Sequence, residues 1–342
     1  MVVLAPKLFY HPDCDLKFSE YGIEIPIVDD RASRIFFWMQ TQYSDLQYTN
    51  NESILRVGAE DILLAHSAEY TQHLFGSYSQ LEKEMMACYE LVDQEGHFHR
   101  YNPQMAQKDF SFAFETILKQ VGMTYLSTKE ALRSGFSYFL GGGMHHAMSF
   151  SGRGFCLVND IVITLRKLQQ ERLIQKAWVI DVDAHKGDGT AEITKADSTI
   201  ATLSIHMKEG WPLDSGSEKD PWFIPSNIDI EMGIGEEACY LDKLKMGLVE
   251  LEKNYARPDL VIIVNGADPY KEDALLSTVN LKLSKEQLLL RDQMIYEFLK
   301  EKNIPQSYVM AGGYGKRSWE IYTQFLEFVW KDSSKRSEVR SR

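Results

Sequence analysis

From about residue 137 the chain alternates short apolar runs with stretches of helical character. Ser137–Leu140 predicts a strand that enters Gly141-Gly142-Gly143, and Ala177–Val182, Thr199–Ile205, Asp259–Val264 and Ser307–Met310 predict four more. Asp160–Leu173, Glu236–Tyr255, Ser284–Lys302 and Ser318–Trp330 read as helices, the third opened by a capping box of Ser284 and Gln287. Alternation of this kind builds a mostly parallel sheet covered by helices on both faces. Polar residues able to do chemistry fall repeatedly just after strands, where open α/β sheets place their sites.

The N-terminal third is less regular. Arg31–Gln40, Ser53–His66 and Ser77–Leu91 predict helices and Asp93–Asn102 a polar loop. Lys331–Arg342 is charged and serine-rich and reads as a frayed tail. Neither an internal repeat nor a linker is visible, so the expectation is a single three-layer α/β domain over residues 1–331 and a short tail over 332–342.

Asp181-Val182-Asp183-Ala184-His185-Lys186-Gly187-Asp188-Gly189 carries the clearest chemistry. It follows the apolar run Ala177-Trp178-Val179-Ile180, and side chains alternate along a strand, so Asp181, Asp183 and His185 face one way. Such a cluster is costly to bury unless it binds a cation or is fully hydrogen-bonded. Its oxygen and nitrogen donors suit zinc with one position left for water. In Gly141-Gly142-Gly143-Met144-His145-His146, tandem histidines after a glycine turn are placed as general base and acid. Gly266-Ala267-Asp268 adds a strand-end carboxylate, and Gly312-Gly313-Tyr314 a phenol able to stabilise an oxyanion. Together they describe metal-assisted hydrolysis of a carbonyl compound, with Asp183, His185 and Asp268 on the metal. Taken singly, each segment has a plainer reading: a solvated strand end, two ordinary loop histidines, a packed aromatic for Tyr314, a helix N-cap for Asp188.

The formal net charge of −12 argues against a general nucleic-acid surface and leaves a basic peptide or polyamine open. Cys14, Cys88, Cys156 and Cys239 are scattered without a C-x-x-C pair, which fits a reducing, cytoplasmic setting. Met1 to Tyr10 has no long apolar stretch and the chain has no run long enough to span a bilayer, so neither a signal peptide nor membrane association is expected.

These four segments, in this order and spacing, resemble the histone deacetylase superfamily. That group includes acetylpolyamine amidohydrolases and acetoin-utilisation proteins and shares the arginase-like α/β fold. The wording is most similar to bacterial and class IV-like members. The likeness runs from about residue 5 to 330 and takes in Asp29-Asp30-Arg31-Ala32-Ser33, His66-Ser67-Ala68-Glu69-Tyr70, Gly154-Phe155-Cys156-Leu157-Val158-Asn159-Asp160 and Leu203-Ser204-Ile205-His206. The resemblance implies zinc, or ferrous iron, on Asp183, His185 and Asp268. It implies His145 and His146 as the acid/base pair, Asp181 and Asp188 as the carboxylates behind them, and Tyr314 as the transition-state tyrosine. It implies a narrow acyl-lysine tunnel with Gly154 and Phe155 on one wall, Trp211 opposite, Leu275 at the floor and Gly313 beside it, and Arg31 near an internal product channel. It also implies a K+ or Na+ site formed by the side chains of Asp181 and Ser204 with the carbonyls of Asp181, Asp183, His185 and Ile205. The implied activity is removal of an acyl group, acetyl first, from an acylated amine such as an acetyl-lysine peptide or an acetylpolyamine.

Three departures stand out. Lys186 occupies a position where many deacetylases have a second histidine, and alternation points it away from the metal. Glu272 and Leu276 replace glycines around Asp273, which suggests a bulkier tunnel floor. The segment 207–230, with Trp211, Trp222 and Phe223, matches no pattern and is expected to shape the rim, while the acidic stretches Asp214–Asp220 and Glu231–Glu237 hint at a polyamine entrance. Readings of other classes are a non-catalytic module that keeps the metal and a two-manganese ureohydrolase; metal stoichiometry separates the latter. The sequence leaves the oligomeric state open.

Overall fold

Among the described residues, eight parallel strands form one sheet: β1 Lys7–Phe9, β2 Tyr48–Thr49, β3 Phe136–Phe139, β4 Ala177–Asp181, β5 Ile200–Met207, β6 Ile228–Met232, β7 Leu260–Asn265 and β8 Gln306–Met310. Their spatial order is β2-β1-β3-β8-β7-β4-β5-β6. The computed structural model describes residues 6–44, 46, 48–49, 54–213 and 223–340. Among these, the α-helices are α1 Arg31–Gln42, α2 Ala59–Ile62, α3 Ala68–Phe75, α4 Tyr78–Cys88, α5 Phe110–Ser134, α6 Asp160–Gln170, α7 Asp188–Thr194, α8 Tyr240–Asn254, α9 Lys285–Glu301 and α10 Ser318–Arg340.

The central strands β4, β7 and β8 are buried along their whole length, as parallel strands covered on both faces must be. Alternation sorts their side chains between two cores. Ile180, Ile263 and Tyr308 pack with Ile35 of α1, Leu248 of α8, Ile295 of α9 and Phe325 of α10. Val179, Ile262 and Val309 face the other way, onto Tyr125 of α5 and Ile161 and Leu165 of α6. The capping box heading α9 forms in full, with Ser284 Oγ accepting from Gln287 N–H at 3.1 Å and Gln287 Oε1 from Ser284 N–H at 3.0 Å.

Several elements depart from the sequence reading. The 25-residue helix α5 was not anticipated, although its buried residues include Phe110, Ala113, Phe114, Ile117, Leu118 and Val121 at helical spacing. It is bounded by Asp109, whose carboxylate accepts from Ser111 N–H, and by Gly135 at φ 80°. Of the helix expected over 53–66, only Ala59–Ile62 is helical, and Ser53 lies outside the described residues. The terminal stretch expected to fray continues α10 as far as Arg340. The edge strands β2 and β6 and the neighbouring β1 also went unread, β1 and β2 being only three and two residues long.

The topology places the chemistry. In register, Asp181 lies beside Val264, and Asn265 beside Met310; β3 adjoins β8 through Phe139 and Val309. Four neighbouring strands therefore end along one edge, and the four segments singled out in the sequence leave from those ends.

Candidate active site

The loop after β3 depends on glycine. Gly142 and Gly143 have φ of 71° and 75°, and a Cβ on Gly142 would sit 2.4 Å from Asp160 Oδ2. Asp160, buried at the head of α6, accepts from the N–H groups of Gly143 at 3.0 Å and Met144 at 2.8 Å, and from Thr124 Oγ1 at 2.6 Å. This clamp sets the direction of the next two residues, His145 and His146. Asp160 belonged to a motif noted in the sequence, but its role became legible only once the fold brought it to the loop.

Each histidine is backed by a carboxylate. His145 Nδ1 is 2.6 Å from Asp181 Oδ2 and His146 Nδ1 is 2.7 Å from Asp188 Oδ1, so the Nε2 atoms are left facing the interior of the site. Burial disfavours protonation of His145, yet the charges of Asp181 and Asp183 outweigh it and lift the group to about 9. For His146, burial and the neighbouring His145 prevail over Asp188 and hold it at about 4. The two rings, 3.9 Å apart at their centroids, are thus driven toward opposite protonation states. Asp188 opens α7 and also accepts from Gly189 N–H at 3.0 Å, so it serves helix and histidine together.

Asp183, His185 and Asp268 are buried with donor atoms all within 4.8 Å of one another. Asp183 Oδ2 accepts from Gly312 N–H at 2.9 Å, Asp183 Oδ1 from His185 N–H at 3.1 Å, and Asp268 Oδ1 from Ala184 N–H at 3.0 Å. Gly312 is required by this approach: a Cβ there would stand 2.5 Å from Asp183 Oδ2 and 2.7 Å from Asp268 Oδ2. Asp268 Oδ2 is buried with no hydrogen-bond partner, although His185 Nδ1 lies 3.0 Å away. Burial and the Asp183 charge push the Asp268 carboxyl up. A buried carboxylate oxygen left unbonded among two other donors fits a cation. The donor set, two carboxylates and an imidazole, suits zinc.

A residue that sequence reasoning missed braces this cluster from below. Arg291 of α9, fully buried, donates from Nη1 to the carbonyls of Val182 at 3.0 Å and Gly266 at 2.9 Å. Its Nε bonds Asp292 Oδ1 at 2.8 Å, which also accepts from Asn265 Nδ2 at 2.9 Å. The loops delivering Asp183 and Asp268 are thereby tied together. An arginine inside an amphipathic helix pattern gives no sequence signal of such a role.

A cavity of about 170 Å³ leads to the cluster, lined by Phe155, Trp211, Leu275 and Tyr314 with Glu90 and Arg100. Trp211 packs edge-on to His146 at 4.5 Å, and Phe155 to Tyr314 at 6.4 Å. Gly154 lies directly against the Trp211 ring. Burial, helped by Asp268 and Asp183, holds the Tyr314 phenol well above its ordinary value, so it stays a hydrogen-bond donor. Asp273 fixes the local backbone, accepting from Tyr314 N–H at 2.7 Å and Leu275 N–H at 2.8 Å. A second cavity of about 140 Å³ shares His146, Phe155, His185 and Tyr314 and continues inward past Gly143 to Arg31 and Cys14. Arg31 donates to the carbonyl of Gly313 at 2.6 Å.

The bulkier floor suggested by Glu272 and Leu276 does not materialise. Leu276 is 84% exposed, and Glu272 pairs with Arg317 at the surface, so neither enters the tunnel. Lys186 does point away from the cluster: its buried ammonium bonds Asp229 Oδ1 at 2.6 Å and Ser226 Oγ at 2.5 Å. Asp181 and Ser204 lie side by side in register, with Ile205 next along β5, and Ser204 Oγ is 3.2 Å from His206 Nδ1. His66 and Tyr70 join the N-terminal segment to the site loops through Asn159 N–H, Met148 O and Leu157 O. The acidic stretch 214–220 and Trp222 lie outside the described residues.

Comparison with known proteins gives the family and the fold. A family profile described as "Histone deacetylase domain" matches residues 26–327. "Histone deacetylase 2" of Arabidopsis thaliana is 30% identical over 267 residues, covering 78% of this chain and 64% of that protein. The chain thus spans somewhat under two-thirds of that relative. "Acetoin utilization protein AcuC" of Staphylococcus aureus (strain COL) is 28% identical over 288 residues, covering 80% of this chain and 69% of that one. Among solved structures, an acetylpolyamine aminohydrolase from Burkholderia pseudomallei superposes with a TM-score of 0.68 at 19% identity, covering 94% of this chain and 98% of the other. The HDA15 HD domain also superposes at 0.68, with 16% identity and coverage of 94% and 90%. With a match across residues 26–327, laid over a parallel sheet whose strand ends gather His145, His146, Asp183, His185, Asp268 and Tyr314, the chain belongs to the histone deacetylase family.

Proposed function

We propose that the protein is a zinc-dependent amidohydrolase that removes an acyl group, acetyl first, from an acylated amine. The observation that carries this reading is the buried trio Asp183, His185 and Asp268, with one carboxylate oxygen unbonded, set beside two histidine–aspartate dyads. These three residues would hold the cation, zinc or alternatively ferrous iron. When bound, such a cation polarises a carbonyl and lowers the pKa of water to about 7.

The chain's own residues divide the remaining work. The tunnel formed by Phe155, Trp211 and Leu275 admits a slender acyl-amine stem and excludes water around it. One of His145 and His146 accepts a proton at Nε2 from the attacking water and the other returns one to the departing amine nitrogen; their opposed proton affinities suit that division. Asp181 and Asp188 keep each ring in the tautomer with Nδ1–H directed at a carboxylate. Tyr314 donates to the carbonyl oxygen as negative charge develops on it. A K+ or Na+ ion beside Asp181 and Ser204, and a cytosolic location, belong to the same proposal.

The test is acetate release by zinc-reconstituted protein given acetyl-lysine peptides and acetylpolyamines in parallel. Release from either establishes the deacylase and selects the amine. Absence of release from both, with one zinc bound, would point to a longer acyl group, another amine or the non-catalytic binding role.

A further inference from the structure

We propose that Ser277 is a positioning residue for the metal ligand His185, a role that rests on the metal reading above. His185 turns Nδ1 inward, 3.1 Å from Asp183 Oδ1 and 3.0 Å from Asp268 Oδ2, which makes Nδ1 the donor aimed into the cluster. Its other nitrogen, Nε2, is 3.0 Å from Ser277 Oγ. A neutral imidazole has one protonated and one bare nitrogen. With the Nδ1 lone pair committed to a cation, Nε2 carries the proton and donates it to Ser277. The serine therefore selects the ligating tautomer and fixes the plane of the ring. Such partners commonly govern metal affinity as well as orientation.

The hydroxyl is held where it can do this. Ser277 sits mid-turn in a short 3-10 helix, Leu276–Thr278, closed by Thr278 N–H to Leu275 O at 3.1 Å and Thr278 Oγ1 to the same carbonyl at 2.8 Å. The turn hangs from Asp273 through Leu275 N–H, and the same carboxylate fixes the Tyr314 backbone. One loop thus places the tunnel side chain Leu275, the oxyanion donor Tyr314 and the partner of His185. Ser277 is half-buried and lines the tunnel cavity, so losing its hydroxyl removes little packing.

The experiment compares full-length wild type, Ser277→Ala and Ser277→Thr. Zinc affinity is read by competition with a chromophoric chelator, and the cobalt(II)-substituted proteins by their visible absorption. Expected is a 10- to 100-fold weaker zinc affinity and an altered cobalt band in Ser277→Ala, near-native values in Ser277→Thr, and matching thermal unfolding of all three metal-free proteins. Wild type that takes up one zinc while Ser277→Ala binds it as tightly, with the same cobalt band, overturns the role of Ser277 and leaves the metal site standing. Wild type that takes up none overturns both.

Discussion

Arg153 donates from Nη1 to Asp188 Oδ2 at 2.9 Å, while Oδ1 of the same carboxylate is held by His146 at 2.7 Å. The carboxylate behind His146 is therefore shared with a cation. The one behind His145 bonds instead to a backbone N–H, from Asp183 to Asp181 Oδ1 at 3.1 Å. Arg153 also lies 5.2 Å from the centre of the Trp211 ring, linking this dyad to the tunnel wall. Removing the guanidinium in Arg153→Met leaves Asp188 to act on His146 alone and raises its proton affinity. The acid limb of kcat/KM is expected to move to higher pH; an unmoved limb would remove Arg153 from the electrostatics of the site.

Tyr314→Phe deletes the phenol while keeping the ring that packs against Phe155. Turnover should fall about 10²- to 10³-fold. Zinc stoichiometry, measured on the same sample, should not change. Full activity in this variant would exclude the oxyanion role.

Arg291→Met should destabilise the fold strongly, because it leaves Asp292 buried without its cation. The cost expected from urea unfolding is about 3–5 kcal/mol, and the double variant Arg291→Met, Asp292→Leu should recover part of it. Equal stability of the single variant and the wild type would show that the brace under Asp183 and Asp268 is not structural.

His66 gives the fold an acid sensitivity independent of the metal. Its Nδ1–H donates to Met148 O at 2.9 Å and its Nε2 accepts from Asn159 N–H at 2.9 Å, so only the neutral ring fits. Burial accordingly lowers it from 6.5 to about 4. The unfolded chain then binds the extra proton first, and stability is lost as pH falls from 6.5 towards 4, by about 3 kcal/mol in all. In His66→Gln that segment of the stability–pH curve should flatten; an unchanged slope would assign the acid loss to other groups.

The sequence made the site more legible than the fold around it. Strand alternation brought Asp181, Asp183 and His185 to one face, and glycine-rich strand ends marked His145, His146, Asp268 and Tyr314; these signals are local. Ser277 and Arg291 were silent, and the role of Asp160 within its motif went unread, because their meaning lies in partners on other elements: Asp160 at Gly143, Ser277 at His185, Arg291 at Val182. Helix α5 was overlooked although Phe110, Ala113, Phe114, Ile117, Leu118 and Val121 recur at helical spacing on its buried side. Leu276 shows the converse error, since a bulky residue at a glycine position suggested a filled tunnel floor and instead faces solvent.

The most direct measurement is a zinc titration of metal-free protein with acetate release followed at each step, beside Asp183→Ala as control. Turnover is expected to rise with added zinc and level off at one ion per chain, with the control inactive throughout. Saturation only at two ions, or acetate release by the Asp183→Ala control equal to that of the wild type, would contradict a single-cation amidohydrolase built on Asp183, His185 and Asp268.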